Sequence, residues 1–301
     1  MKVAVIGLGA MGMGIATSSL RGGLDTVGCD VSDAQRAAFV KAGGRAAVTS
    51  ADAAQDADCL AVVVVNQDQT EAVLFGENGA AAALPKGAVV LGCATVPPAY
   101  ARDVSARLNA LGLLYLDAPI SGGAVKAASG QLSVMGSGTP EAYARARPFL
   151  DAVAEKVFEL GDEAGPGSTM KMVNQLLAGV HIATAMEAVA LGIKSGLDAE
   201  TVFEVITGSA GNSWMFENRV PHVLENNYAP KSAVDIFVKD LGIVLETGKR
   251  EGFPLPVSAA AHQQFIAAKA MGLGREDDAA VIKVFAALSG IELPDGKDKD
   301  A

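Results

Sequence analysis

The chain of 301 residues is longer than a single hydrophobic core usually supports, so we expect two domains. Half of the residues are hydrophobic and 19% are charged, a composition typical of a folded globular protein rather than a disordered one. The formal net charge of -10 opposes binding to nucleic acid, which needs a clustered basic face. We therefore expect a globular protein without a nucleic-acid partner.

The cysteines and the lengths of the apolar segments favour a soluble protein of a reducing compartment. Cys29, Cys59 and Cys93 lie far apart beside apolar segments, which favours buried thiols over disulfides or metal ligands and points to a reducing compartment. The N-terminus lacks the charged region, apolar core and cleavage site of a secretory signal. Gly, Asp and Asn interrupt each apolar segment before the ~20 residues that span a membrane. We expect a soluble cytoplasmic protein.

The first half of the chain alternates short β-branched segments with helical ones. This alternation predicts parallel strands joined by helical crossovers, and the apolar character of the strands indicates a doubly wound sheet covered on both faces. Strands are predicted at 2–6, 26–29, 60–65, 88–91 and 113–116. Two later segments, 132–135 and 157–160, are predicted to extend this sheet, so that the first domain covers 1–162.

From Gly165 onward apolar residues recur at helical spacing to about Lys194, which predicts one long helix. Further helices are predicted at 199–207, 235–250, 256–271 and 277–288, with glycines at 196, 211, 252, 272 and 290 as stops. The second domain, 163–292, is predicted to be all-helical, and 293–301 to be a flexible tail. The fold class is thus α/β, an N-terminal doubly wound sheet joined by a long helix to an all-α domain.

A glycine-rich turn, Gly7-Leu8-Gly9-Ala10-Met11-Gly12, follows the first strand directly and opens the first helix. The string alone is a weak pattern, but this context gives the glycines a tight turn, a close backbone approach and helix packing, with a pyrophosphate at the helix N-terminus. Asp30 ends the second strand, where its carboxylate can bind ribose hydroxyls and repel a 2′-phosphate. Since no basic residue follows until Arg36, we predict a Rossmann-type site that prefers NAD.

A second motif, the segment 117–123, follows the strand 113–116 at the edge of the sheet where ligands of open α/β folds bind. The successive amides of Ser121, Gly122 and Gly123, together with the serine hydroxyl, suit a substrate carboxylate. An ordinary glycine-containing loop accounts for the same residues equally well.

The start of the long helix carries Lys171 and Asn174, which are three residues apart and therefore share a face. A partly desolvated lysine there can exchange a proton with a substrate hydroxyl, and Asn174 can orient the same oxygen. A lone lysine is more often a solvated surface residue, so spacing alone does not decide.

The glycine turn, the segments 117–123 and 165–174, and a later Lys239-Asp240-Leu241 occur in this order in the β-hydroxyacid dehydrogenases, which include 3-hydroxyisobutyrate dehydrogenase. The chain resembles that family over nearly its whole length. The resemblance implies metal-independent, NAD-dependent oxidation of a small hydroxy acid, with Lys171 as general acid/base and Ser121, Gly122, Gly123 and Asn174 binding substrate. Cofactor contacts are assigned to the glycine turn, Asp30, Val64, Val65, Asn66, Thr95 and Lys239.

Within the family, the segments 171–181 and 211–219 look most like the branch that oxidises a four-carbon sugar acid at C2. A polyhydroxylated substrate needs further polar partners, and Gln175, Asn212 and Ser213 are candidates. Trp214 either lines the substrate pocket or packs between helices. Family members often carry Asn at position 175, so the role of Gln175 stays open.

The three histidines are not assigned to catalysis. His181 lies ~15 Å along the helix from Lys171 and is interpreted as a core residue. His222 and His262 are interpreted as isolated, and no sequence cluster has metal-ligand spacing.

Two related activities would share the fold, the cofactor and Lys171, namely reduction of tartronate semialdehyde and oxidation of 3-hydroxyisobutyrate. A catalytically inactive NAD-sensing protein is the alternative from another class, and Lys171 and Asn174 beside 121–123 argue against it. The helical half contains more apolar residues than one small domain needs, so a homo-oligomer, a dimer or a tetramer, is expected.

Overall fold

The structure is a computed structural model that describes residues 1–296. The chain divides into two compact units, Met1–Lys171 and Met172–Ala301. Residues 297–301 of the predicted tail lie outside the described part, whereas Leu293 packs against the helical core of the second unit.

The first unit contains a parallel sheet whose strands are β1 (Lys2–Ile6), β2 (Asp25–Cys29), β3 (Arg45–Ala47), β4 (Cys59–Val62), β5 (Val89–Gly92) and β6 (Leu114–Asp117). The connecting helices are α1 (Ala10–Arg21), α2 (Asp33–Lys41), α3 (Ser50–Ala54), α4 (Gln67–Phe75) and α5 (Pro98–Ala110). The strand order is β3-β2-β1-β4-β5-β6, with every neighbouring pair parallel. The order reverses at β1 and β4, which is the point where open α/β sheets bind ligands.

The sheet is covered on both faces because successive residues of its central strands join different cores. Val3 and Val5 belong to one buried cluster, and Ala4 and Ile6 belong to another. A strand with this burial must be apolar at every position, which is why these segments lack polar alternation. The predicted doubly wound sheet is confirmed.

A separate three-stranded sheet follows, with β7 (Ile120–Ser121), β8 (Leu132–Gly136) and β9 (Ala154–Glu159) in the order β7-β8-β9. The helices α6 (Gly123–Ser129) and α7 (Pro140–Val153) lie between these strands in the chain. The prediction that 132–135 and 157–160 extend the main sheet is therefore wrong. Pro119 has no N–H to continue a ladder after β6, and β8 then pairs antiparallel with β7.

The long helix α8 (Pro166–Lys194) begins in the first unit and continues into the second. It is followed by α9 (Ala199–Thr207), α10 (Trp214–Leu224), α11 (Val234–Glu251), α12 (Pro256–Ala270), a 3₁₀ helix (Asp278–Val281) and α13 (Ile282–Ser289). Buried apolar side chains of these elements form one core, in which the Phe237 and Phe265 rings stack with centroids 5.2 Å apart. All named elements in the described part of the second unit are helices, as predicted.

The elements β3, β7, α6 and α10 were not predicted from the sequence. The strands β3 and β7 have three and two residues, and the first two residues of β3 are exposed, so neither shows a strand pattern. Helix α10 contains Pro221, which would normally end a helix. The predicted stop at Gly211 is wrong because α9 ends at Thr207, with Gly208 as its C-cap.

Among the described residues, α8 is long and apolar enough to cross a membrane by length and composition alone. The sequence analysis found no such segment because polar residues interrupt the run. The core helix of a soluble protein passes the same test, and α8 supplies Ile182, Met186 and Val189 to the buried core of the second unit.

Candidate functional site

The turn between β1 and α1 requires glycine at two positions because other backbone segments approach it closely. Gly7 has a φ of 94°, and a Cβ there would lie 2.2 Å from the carbonyl oxygen of Val63. A Cβ on Gly12 would lie 1.7 Å from the carbonyl oxygen of Gly7. Gly9 faces open space and is an N-cap without a side-chain cap, so the first-turn N–H groups of α1 can bind an anion. These features fit the pyrophosphate of a dinucleotide.

Asp30 follows β2 directly and is fixed by backbone donors from two segments. The N–H of Leu8 donates to Oδ2 at 2.7 Å, and the N–H of Ser32 donates to Oδ1 at 2.8 Å. Each carboxylate oxygen keeps a second lone pair for a ribose hydroxyl. The acid is thereby held beside the glycine turn, as the sequence predicted.

Arg36 is closer to Asp30 than its position in the chain suggested. The first turn of α2 brings its guanidinium against the backbone, where Nη1 donates to the carbonyl oxygen of Asp30. The same guanidinium pairs with the carboxylate of Asp33. The positive charge beside Asp30 is therefore already paired with an acidic side chain.

The other predicted cofactor residues of the first unit follow β4 and β5, which neighbour β1 in the sheet. The N–H of Val65 donates to Oε1 of Gln69 at 2.8 Å, and Oδ1 of Asn66 caps α4 by accepting from the N–H of Gln69 at 2.9 Å. Val64 is partly buried in the adjoining core, and Thr95 is half-buried three residues after β5. These segments share the carboxyl edge of the sheet with the glycine turn.

The predicted substrate segment occupies β7 and the turn after it. Ser121 pairs with Ser133 of β8, while Gly122 and Gly123 have φ values of 135° and 74°, a region that other residues rarely adopt. A Cβ on Gly123 would meet nothing within 4 Å. Ordered backbone with open space beside it is suited to a small ligand, although an ordinary turn also explains the glycines.

Lys171 lies against this segment. Its Nζ donates to the carbonyl oxygen of Ile120 at 2.8 Å, and the residue is only 9% exposed. The alternative interpretation as a solvated surface lysine is wrong. The contact joins residues 51 positions apart and brings the predicted acid/base next to Ser121.

Asp117 anchors the start of α8, a function that the sequence analysis missed. Its buried carboxylate accepts from the N–H of Gly165 at 3.0 Å, from the N–H of Ser168 at 2.8 Å and from Oγ of Ser168 at 2.7 Å. Burial raises the pKa of Asp117, and the hydrogen bonds from Ser168 and Gly165 only partly oppose that shift. An acid at the end of an apolar strand, followed by a proline, is the pattern that could have revealed it.

In the second unit, Asn174, Gln175, Lys239 and Asp240 form one connected group. Nδ2 of Asn174 donates to Oε1 of Gln175 at 2.9 Å, and Nε2 of Gln175 donates to Oδ2 of Asp240 at 2.5 Å. The ammonium of Lys239 lies 2.5 Å from Oδ1 of Asp240. The structure thus brings together three predicted site residues and adds Asp240, which is 2% exposed and had no predicted role.

The segment before α10 has structural contacts of its own. Oγ of Ser213 caps the helix by accepting from the N–H of Phe216 at 3.1 Å. Asn212 donates to the carbonyl oxygen of Thr207 and to Glu217, and its buried Oδ1 has no partner in the described part of the chain. For the segment 213–216, packing in the core holds for Met215 and Phe216, which are buried there, but not for Trp214, which is 61% exposed.

His222 is not isolated, contrary to the sequence interpretation. Its Nδ1 lies 2.8 Å from Oδ1 of Asp277, and its Nε2 lies 2.8 Å from Nζ of Lys231. Burial alone would raise the pKa of Asp277, but hydrogen bonds from His222 and backbone N–H groups hold that pKa below its usual value. The partners are 55 and 9 residues away, so spacing did not reveal them.

The neighbouring Asp278 pairs with Arg219, whose Nε lies 2.5 Å from Oδ1. Burial raises the pKa of Asp278 to about 6 despite this partner. Elsewhere, His262 contacts the carbonyl oxygen of Val238 at 2.9 Å, and His181 is half-buried. Within residues 1–296, no cluster of three or more His, Cys, Asp or Glu side chains could hold a metal ion.

Cys29, Cys59 and Cys93 are free and buried, as predicted. Burial raises the pKa of all three thiols, that of Cys93 to about 12. Thiols in this state are weak nucleophiles, and no catalytic step is assigned to them.

The parallel order β3-β2-β1-β4-β5-β6, with a glycine turn after β1 and an acid after β2, defines the class of dinucleotide-dependent oxidoreductases. Residues 2–161 match the family described as the NAD binding domain of 6-phosphogluconate dehydrogenase. Residues 165–285 match the family described as the NAD-binding domain of NADP-dependent 3-hydroxyisobutyrate dehydrogenase.

Relatives that match over nearly the full length narrow the class of dinucleotide-dependent oxidoreductases to dehydrogenases of hydroxy acids. The chain is 55% identical over 293 residues to an L-threonate dehydrogenase of Cupriavidus necator, covering 97% of this chain and 98% of that protein. It is 48% identical over 297 residues to the L-threonate dehydrogenase of Escherichia coli K12, covering 98% and 97%. A crystal structure of a 3-hydroxyisobutyrate dehydrogenase from Salmonella typhimurium superposes with a TM-score of 0.91 at 48% identity, covering 94% and 99%. The chain belongs to the β-hydroxyacid dehydrogenase family and is an NAD-dependent dehydrogenase of hydroxy acids.

Proposed function

We propose that this enzyme oxidises L-threonate at C2 to 2-dehydro-L-erythronate. The choice of substrate rests on one observation, the full-length similarity to L-threonate dehydrogenases at 48–55% identity. The mechanism rests on the position of Lys171, whose buried ammonium lies beside the segment that starts at Ser121.

The dinucleotide is assigned to the glycine turn, Asp30, Val64, Val65, Asn66, Thr95 and Lys239. The uncapped N-terminus of α1 suits the pyrophosphate, and Asp30 suits the ribose hydroxyls. When bound, the nicotinamide accepts a hydride from the substrate carbon. Asp30 favours NAD over NADP, because its carboxylate repels a 2′-phosphate and Arg36 is already paired with Asp33.

The substrate carboxylate is assigned to Ser121, Gly122 and Gly123, where the serine hydroxyl and the open space beside Gly123 are available. Lys171, in its neutral form, takes the proton of the C2 hydroxyl while Asn174, one turn further along α8, orients that hydroxyl. The carbonyl oxygen of Ile120 holds Nζ of Lys171 in place before and after the proton moves. Positioning and a single proton transfer are all that this chain has to supply.

The remaining hydroxyls of a four-carbon sugar acid are assigned to Asn212, Ser213 and Trp214, and Gln175 is assigned to the substrate site through Asn174, to which it is hydrogen-bonded. Asn212 supports this assignment because its buried Oδ1 has no partner within residues 1–296. An unsatisfied buried acceptor costs ~1–3 kcal/mol, and a donor hydroxyl of a ligand would offset that cost.

The experiment is a panel of initial rates of NADH formation with L-threonate, 3-hydroxyisobutyrate and D-glycerate, each with NAD and with NADP. We expect the highest kcat/KM with L-threonate and NAD. A higher value with 3-hydroxyisobutyrate would instead support the activity named for the Salmonella protein. Tight NAD binding without turnover of any hydroxy acid would favour the inactive sensor.

We further assign 1–162 as the cofactor-binding domain and 163–292 as the domain for substrate binding and oligomerisation. The protein is assigned to the cytoplasm. Val173, Leu177 and Leu191 are exposed at helical spacing on one face of α8, and a second copy of the chain would bury this apolar face. Sedimentation velocity should therefore detect a dimer or tetramer that Leu177→Lys dissociates. Leu197→Lys, at an exposed leucine outside the helix, is the matched control and should leave the sedimentation coefficient unchanged.

A further inference from the structure

A chain of three polar side chains in the second unit ends at a buried carboxylate. Asp240 is 2% exposed and Gln175 is 8% exposed, whereas Asn174 is half-buried. The hydrogen bonds run from Nδ2 of Asn174 to Oε1 of Gln175 and from Nε2 of Gln175 to Oδ2 of Asp240. We call this chain, Asn174-Gln175-Asp240, the amide relay.

The carboxylate fixes the direction of every bond in the amide relay. A carboxylate only accepts hydrogen bonds, so Gln175 must turn its NH₂ group toward Asp240 and its carbonyl oxygen toward Asn174. That oxygen is an acceptor as well, so Asn174 must turn its NH₂ group toward Gln175. Oδ1 of Asn174 is left pointing away from the relay and takes no hydrogen bond from residues 1–296.

We propose that Asp240 and Gln175 are positioning residues that keep the carboxamide oxygen of Asn174 turned outward as an acceptor for a substrate hydroxyl. The proposal rests on the proposed function, because it takes Asn174 as a substrate contact. It gives Gln175 a role that a shorter asparagine at 175 could not fill in the same way, since the glutamine reaches a carboxylate on α11.

The carboxylate of Asp240 has two contacts, one with Gln175 through Oδ2 and one with Lys239 through Oδ1. Oδ1 of Asp240 faces the ammonium of Lys239, which is assigned to the cofactor. A role of Asp240 through Lys239 predicts a change in NAD affinity, whereas a role through Gln175 predicts a change in KM for the hydroxy acid. The two routes are therefore separable by kinetics.

The first test replaces Gln175 by an isosteric carboxyl. In Gln175→Glu two carboxyl groups meet, and they repel each other unless they share a proton. At neutral pH this repulsion displaces the side chain at 175 from Asp240 and from Asn174, so Asn174 loses the acceptor that orients it. We expect KM for L-threonate to rise about tenfold, the loss of roughly one oriented hydrogen bond, and to recover toward the wild-type value as the pH falls. The KM for NAD should stay within about twofold, because the ion pair with Lys239 remains.

The matched control is Gln264→Glu. Nε2 of Gln264 donates to Oε2 of Glu187 at 3.1 Å, an amide–carboxylate pair in the same unit whose hydrogen bond is exposed although Oε1 of Gln264 is buried. The same change of charge at this pair should leave both KM values and their pH dependence unaltered.

The second test reverses the pair. In the double variant Gln175→Glu/Asp240→Asn, the amide at 240 donates to the carboxylate at 175, which still accepts from Nδ2 of Asn174. We expect KM for L-threonate to return to within about threefold of the wild-type value, while Asp240→Asn alone raises it because two amides leave the direction undefined. Asp240→Asn also removes the charge that pairs with Lys239, so any change in NAD affinity in this single variant should persist in the double variant.

The outcomes separate the two proposals. Absence of L-threonate turnover by the wild-type enzyme overturns the proposed function. Wild-type turnover with an unchanged KM in Gln175→Glu, or with no recovery in the double variant, overturns the amide relay alone. A melting temperature measured for each variant identifies any loss of folding, and a parallel fall of kcat without a pH-dependent KM also contradicts the relay.

Discussion

The ammonium of Lys171 is buried against a backbone carbonyl. Burial of a charged group costs desolvation free energy, which favours a functional role for this lysine. We predict that Lys171→Ala lowers kcat about 10²–10⁴-fold, because general acid/base assistance is lost, while the dissociation constant for NAD stays nearly unchanged. Steady-state kinetics and NAD titration measure the two quantities. Lys126→Ala removes an exposed lysine that pairs with Glu155 and should have little effect on either. Full activity of Lys171→Ala would contradict the assignment of Lys171 as the general acid/base.

Asp30 joins three segments of the first unit, and its removal should change cofactor choice. In Asp30→Ala the ribose contacts and the repulsion of a 2′-phosphate are lost together, so we predict a fall of about tenfold in kcat/KM for NAD and a smaller fall for NADP. Asp25→Ala is the control for charge, since it removes an exposed acid at the start of β2 that pairs with Arg45 and not with Arg36. A wild-type preference for NADP would refute the interpretation of Asp30.

At the residue level, local motifs were predictable and partners distant in the chain were not. Gly7, Gly12 and Asp30 follow from a strand, a turn and the next strand. Lys171 is one of many lysines by spacing, and only the family resemblance selected it. The contact of Asp240 with Gln175 spans 65 residues, and no local pattern encodes such a contact.

At the element level, the helix α8 begins where three donors meet the Asp117 carboxylate. We predict that Ser168→Ala lowers the free energy of unfolding by ~1–3 kcal/mol, because a buried carboxylate loses a hydroxyl donor that water cannot replace. Urea unfolding measures the change. Thr169→Ala, at the next and exposed residue of the same helix, should lower it by much less. Equal effects of the two substitutions would contradict an anchoring function for Asp117.

The elements of the main sheet were predictable because burial on both faces requires continuous apolar segments. The same apolar character misled the prediction for 132–135 and 157–160, since it records burial but not the sheet to which a strand belongs. In the structure β8 pairs with β7, the short strand after Pro119, and with β9. Helix α10 was missed because Pro221 opposes it locally and packing of Val220 and Val223 in the core outweighs that preference.

For the molecule as a whole, the ion pairs of the second unit should make stability depend on pH. The pKa of Asp278 is about 6 in the folded protein, above the ~3.9 of an unfolded chain. Between these values the folded state binds the proton more tightly, so the contribution of this carboxyl to the free energy of unfolding falls as the pH rises. The effect is absent below about pH 4 and complete above about pH 6.

We therefore predict that the stability of the wild-type protein relative to Asp278→Asn falls by up to roughly 3 kcal/mol between pH 4 and pH 7. The shift of Asp277 has the opposite sign but is present in both proteins and largely cancels in the difference. Urea unfolding at unit intervals of pH gives the two curves. A relative stability that rises over this range would contradict the buried state of Asp278.

The transfer of hydrogen from C2 of L-threonate tests the central claim most directly. With L-threonate deuterated at C2, the wild-type enzyme should form NADH that carries the deuterium, detected by mass spectrometry, together with 2-dehydro-L-erythronate, and Lys171→Ala should form both far more slowly. Unlabelled NADH with deuterium retained in the oxidised acid, or no NADH at all, would contradict the account.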